Sequence, residues 1–117
     1  MAKAAAAKGL PVRSLDAGMR AFLRARGVAT NDAFLGDAGA EPYWTLARLR
    51  EALSHLPTEG VVELMCHPGH APTTLTSGYG AQREVELETF LHPDARQAIE
   101  RSRATPATFA VLHPRRV

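Results

Sequence analysis

Apolar positions recur along this chain in short runs with helical or strand-like spacing, and glycine or proline closes most of them. Residues 2–8 are alanine- and lysine-rich up to Gly9, which predicts a helix with a glycine stop but no N-cap and no apolar stripe. Leu10-Pro11-Val12-Arg13-Ser14 reads as a short strand. Met19, Phe22 and Leu23 follow Asp16 at helical spacing and predict a helix through Arg26, stopped by Gly27. Residues 28–41 read as a loop with one short strand at 33–36. Leu46, Leu49, Leu53 and Leu56 place a stripe on a helix that starts at Thr45 and ends at Pro57, with Arg48, Arg50 and Glu51 on the other face. Residues 61–66 predict a buried strand that stops at His67, because Pro68 cannot continue a ladder. A loop over 68–80 leads to a helix over 82–90. His92-Pro93 restarts a helix that runs to Arg101, with proline suited to its first turn. Thr108–Leu112 reads as a closing strand. Strands alternating with helices predict an α/β fold with a parallel sheet or barrel segment.

Composition narrows the function. The chain has 117 residues, 45% of them hydrophobic and 22% charged, as expected of one small globular domain or part of one. Net charge is +2, the basic residues are scattered, and Arg115-Arg116 is too short for a basic tail, so nucleic acid is not an expected partner. No apolar run approaches the ~20 residues of a membrane span. The opening residues lack the leucine-rich core of a signal peptide. The single cysteine excludes an internal disulfide and fits a reducing compartment, so a cytoplasmic location is expected.

Candidate chemistry centres on His67. At the carboxyl end of a strand, a histidine is positioned for acid–base work or metal ligation, and equally for capping the strand on a nearby carbonyl. Cys66 should face away from it, because strand neighbours alternate, and should pack as a small hydrophobe with Val62 and Leu64. Glu63 shares the His67 face and needs a partner there, such as Arg13; a structural ion pair is the leading expectation. His67 and His70 have a spacing that allows two metal ligands. Zinc takes three or four, and Asp16, Asp32, Asp37, His92 and Asp94 form no recognised ligand motif around them. Residues 78–87 enter a helix from a glycine-containing loop but lack a phosphate-loop lysine, and the charges on 83–88 read as a solvated helix face.

The segments Val62-Glu63-Leu64-Met65-Cys66-His67-Pro68-Gly69, Ser77-Gly78-Tyr79, Arg83-Glu84-Val85-Glu86-Leu87-Glu88 and Pro93-Asp94, in that order, resemble the carboxyl-terminal signature of the YdjC-like carbohydrate deacetylases. That family includes chitooligosaccharide and hopanoid-biosynthesis-associated deacetylases. Upstream, Gly9-Leu10-Pro11-Val12-Arg13, Phe34-Leu35-Gly36 and the leucine-rich helix also match in order, so the resemblance spans nearly the whole chain. It implies the carboxyl-terminal half of a (β/α) barrel of the glycoside hydrolase/deacetylase type, with residues 1–117 as a single partial domain that begins inside a helix. It also implies a hydrolase of carbohydrate metabolism that removes N-acetyl groups from amino sugars with a divalent metal, Mg or Zn. The family's metal ligands lie in an Asp-Asp strand end and a His-x-His segment. Neither motif occurs here, so no residue of this chain is assigned to the metal. By the same resemblance His67 is the catalytic residue, acting as the acid for the departing amine or as a stabiliser of the tetrahedral intermediate. Arg13, His70 and Tyr79 bind substrate. The expected partners are an amino-sugar substrate and a missing amino-terminal half, or a second copy by self-association. Two other readings stay open: a non-catalytic half-barrel scaffold that self-associates or pairs with another chain, and a small metal-binding module built on His67 and His70.

Overall fold

A computed structural model of the chain describes residues 1–36, 43–71 and 80–113. In chain order these carry Ala2–Lys8 (α1), Ala17–Arg24 (α2), Ala33–Leu35 (β1), Leu46–Ser54 (α3), Val62–Leu64 (β2), Gly80–Leu91 (α4), Pro93–Arg101 (α5) and a 3-10 turn at Phe109–Leu112. The class is mixed α/β. The two strands pair in parallel, with Phe34 opposite Glu63. Tertiary contacts gather the chain into two units, one of Met1–Leu35, Thr58–Leu64 and Thr105–Val117, the other of Gly36–Pro57 and Met65–Ala104. No helix among the described residues is long and apolar enough to cross a membrane.

In the first unit both predicted glycine stops form. Gly9 (φ 62°) and Gly27 (φ 72°) take the left-handed conformation that β-carbons disfavour. Leu10 N–H then reaches back to Ala5 O, and Val28 N–H to Leu23 O, the 6→1 bond that closes a helix end. The second of these bonds puts Val28 against Leu23, and with Ala5 they form the buried core, flanked by Ala2, Val12 and Met19. The carboxylate of Asp16 caps α2 by accepting from Met19 N–H at 2.7 Å.

Residues 10–14 are not the predicted strand. Pro11 has no N–H to give, and Val12 N–H finds Ala29 O at 2.9 Å. The place of the neighbouring strand is taken by one side chain. Asn31, fully buried, accepts from Ser14 N–H at 2.7 Å through Oδ1 and donates to Ser14 O at 3.0 Å through Nδ2. That amide reproduces the two bonds a β-partner would make. Its Nδ2 also donates to Ala33 O at 2.9 Å, and Thr30 Oγ1 and Ser14 Oγ donate to its Oδ1.

Strand β2 is shorter than predicted and ends at Leu64, not at His67. Among the described residues its pairing with β1 reaches from Val62 to Leu64, which stops short of Pro68. Pro68 therefore does not set its end. The closing run at Thr108–Leu112 is also not a strand; its N–H groups are satisfied locally, Val111 on Thr108 O and His113 on Ala110 O. Val61 N–H donates to Asp32 Oδ2 at 2.7 Å, and Asp32 N–H returns a bond to Val61 O at 2.8 Å, which fixes the start of the strand pair. Gly60 (φ 99°) is required there, because a β-carbon would stand 2.8 Å from Asp32 Oδ2.

In the second unit Trp44 and Leu49 are fully buried. Thr45 caps α3 by accepting from Arg48 N–H, and His92 caps α5 by accepting from Asp94 N–H through Nδ1 at 3.0 Å. Helix α3 packs on α5, joined at the surface by Arg50 and Asp94 at 2.6 Å. The indole of Trp44 donates to Met65 O at 2.7 Å, and its edge meets the Phe90 ring at 6.4 Å between centroids. Gly36 (φ 121°) closes against the same stretch, since a β-carbon there would stand 2.5 Å from Met65 O.

Two stability predictions follow from the first unit. Asn31→Ala strands buried Ser14 N–H and C=O groups and is expected to lower unfolding free energy by about 3 kcal/mol in urea titrations. Asn31→Asp should not restore it, because the Nδ2 donor to Ser14 O and Ala33 O becomes an anionic oxygen. The Val61 N–H bond, reinforced by Arg24, holds the Asp32 carboxyl below the usual carboxylate range. A lowered folded pKa gives stability that is complete above the unfolded value and lost as pH falls through the folded one. Wild-type stability should therefore drop on acidification below about pH 4. Asp32→Asn should flatten that drop by less than about 1 kcal/mol, given the half-exposed pair.

Candidate functional site

The first constellation lies on the two strands. Strand register sets Glu63 beside Phe34, and the Asn31 clamp on Ser14 fixes the main chain next to Arg13. The Arg13 guanidinium forms an ion pair with Glu63 Oε1 and sits over the Phe34 ring, 5.6 Å from its centroid. The pairing expected from Glu63's place in an apolar strand is present. Glu63 is only 13% exposed at its side chain, whereas Arg13 is 49% exposed, so one partner is sealed and the other reaches solvent. Glu63 Oε2 is buried without a hydrogen-bond partner among the described residues. A half-desolvated carboxylate of this kind holds its arginine strongly, because releasing Arg13 would leave a buried charge alone.

The second constellation is the segment Met65–Ala71, which has no ladder of its own and leans on α4. His67 N–H donates to Glu86 Oε2, Gly69 N–H to Arg83 O and Ala71 N–H to Glu84 Oε1, all at 3.1 Å. Pro68 supplies no N–H. His67 is half-buried, and its imidazole makes no hydrogen bond among the described residues. His70 is exposed. Cys66 is half-buried, and burial followed by the nearby Glu86 charge pushes its thiol pKa up, so it stays a protonated, weakly nucleophilic thiol. The strand alternation invoked for Cys66 and His67 does not apply, since both lie beyond β2.

Helix α4 departs from its sequence reading. The charges on 83–88 read as a solvated face, yet Glu86 is buried, at 3% exposure. Its neighbours on that face, Gln82 and Thr89, are buried too, whereas Val85 and Leu91 are exposed. Arg83, Glu84 and Glu88 are exposed as expected and Leu87 and Phe90 are half-buried, so the hydrophobic pattern does not single out Glu86.

Among the described residues, no three His, Cys, Asp or Glu side chains are grouped to hold a metal ion. The donor set in hand does not fit a divalent metal, and no step is routed through one. Tyr79 and Asp37 lie outside the described residues.

Comparison with known proteins places this geometry in a family. A family model described as YdjC-like protein matches residues 1–101. A carbohydrate deacetylase of Vibrio parahaemolyticus is 43% identical over 47 residues, which cover 38% of this chain and 19% of that protein. The crystal structure of an Enterococcus faecalis protein named for cellobiose-phosphate cleavage superposes with a TM-score of 0.76 at 25% identity, over 97% of this chain and 46% of that one. The chain thus spans less than half the length of either relative. With a match that takes in all five helices and both strands, the chain belongs to the YdjC-like protein family.

Proposed function

We propose that this chain is the carboxyl-terminal part of a carbohydrate deacetylase that hydrolyses N-acetyl groups of amino sugars. The observation that carries the reading is His67: a half-buried imidazole with no hydrogen bond among the described residues, on a main chain anchored to α4, in a family with a carbohydrate deacetylase. The reaction adds water to the acetamide carbonyl, breaks the C–N bond and releases acetate and a free amine. An amine leaves poorly unless its nitrogen is protonated, and an imidazolium near neutral pH suits that transfer. His67 gives its proton to the departing nitrogen. Arg13, steadied by Glu63 and Phe34, offers its exposed N–H groups to sugar hydroxyls. His70 and Tyr79 complete the proposed substrate contacts.

A bound divalent ion, Mg or Zn, would supply Lewis acidity and an ionised water. Its ligands would come from outside the described residues; the chain covers 46% of the Enterococcus relative. A second reading, a non-catalytic half barrel that self-associates or pairs with another chain, draws on exposed apolar side chains such as Leu15 at 56% and Leu91 at 74%.

Acetate release from N-acetylated chito-oligosaccharides, with Mg²⁺ or Zn²⁺ supplied, tests the first reading. His67→Ala is expected to lower kcat by about 10²–10⁴-fold with circular dichroism unchanged. A variant at full rate removes His67 from the chemistry. A wild-type protein that releases no acetate and sediments as a discrete oligomer supports the scaffold instead.

A further inference from the structure

A packed helix usually turns an apolar face inward, yet α4 buries polar side chains as well. Gln82, Glu86 and Thr89 are buried on it, and two of the three bond to main chain of segments outside α4. Thr89 Oγ1 donates to Trp44 O at 2.9 Å, next to the indole that holds Met65 O. Glu86 Oε2 accepts from His67 N–H. A carboxylate sealed from water is expensive, and an apolar side chain would pack there at less cost. Backbone N–H groups of neighbouring residues make do with less: Gly69 uses a main-chain carbonyl, and Ala71 uses the exposed Glu84. Of these three amides, that of His67 is the one held by a buried carboxylate, through a charge-assisted bond that is stronger than a neutral one.

We infer that Glu86 is the positioning residue of His67, fixing its main chain so that the imidazole is presented in one place. This rests on the reading of His67 as the acid of the proposed reaction. Two anchors then hold the main chain that leads into His67, Trp44 on the carbonyl of Met65 and Glu86 on the amide of His67. The same charge disfavours ionisation of Cys66, so the thiol between them does not compete as a nucleophile.

Glu86→Leu removes the acceptor at similar volume, whereas Glu86→Gln keeps a side-chain oxygen able to accept from His67 N–H. In the full chain, amide hydrogen exchange at His67 should speed at least ~10-fold in Glu86→Leu and stay within about threefold in Glu86→Gln, with the Leu49 amide of α3 unchanged in both. In the acetate assay, Glu86→Leu should lower kcat about 10-fold or more with KM nearly constant, and Glu86→Gln should recover most of it. Unchanged exchange at His67 in Glu86→Leu overturns the inference. So does equal acceleration at His67 and Leu49, which would make Glu86 a general stabiliser, and so does a full kcat in Glu86→Leu. If Glu86→Leu does not fold, Glu86→Asp withdraws the carboxylate by one methylene and is read the same way. A wild-type protein without deacetylase activity refutes the catalytic reading alone, since the exchange measurement still decides whether Glu86 holds His67.

Discussion

The buried amide of Asn31 is the constraint on which the first unit depends. A side-chain amide carries one acceptor and one donor at nearly the spacing of a peptide group, so it can stand in for a strand neighbour. Asn31 does this for Ser14, and its second N–H holds Ala33 O at the head of β1. Two things follow from one residue: the main chain at Ser14 is satisfied without a ladder, and Arg13 is set beside a fixed main chain. The cost of leaving any of these buried groups unpaired is what makes the arrangement specific rather than merely favourable.

The second unit uses the same device with charge added. Its segment after β2 has no ladder, so its N–H groups must be satisfied elsewhere, and α4 supplies the acceptors at alternate residues. A buried glutamate on a helix face is tolerated only because a donor meets it. The interior of this unit therefore combines buried polar side chains of α4 with the apolar Trp44 and Leu49. Arg13 and His67, the two residues singled out from the sequence with most reason, are each held by a partly or fully sealed carboxylate.

Several elements were legible from the chain alone. Glycine stops, the helix starts near Asp16, Thr45 and Pro93, and the leucine stripe of α3 are local effects, decided within about five residues. The Arg13–Glu63 pair was also foreseeable, because a carboxylate in an apolar run needs a counter-charge. The family could be named from ordered motifs, which depend on residue identity and not on geometry.

Other features depended on contacts distant in sequence. Whether residues 10–14 and 65–67 belong to strands depended on a partner, and a ladder exists only where a second segment comes alongside. Asn31 replaced one such partner, and among the described residues the pairing with β1 reaches only Leu64. The hydrophobic pattern of α4 likewise points outward what the fold turns inward, since Glu86 is buried only because the amide of His67, 19 residues earlier, waits for it. The sequence by itself determined the helices, their glycine stops and the family. The tertiary structure alone decided which polar groups were sealed from water, because that depends on which distant donors and acceptors meet.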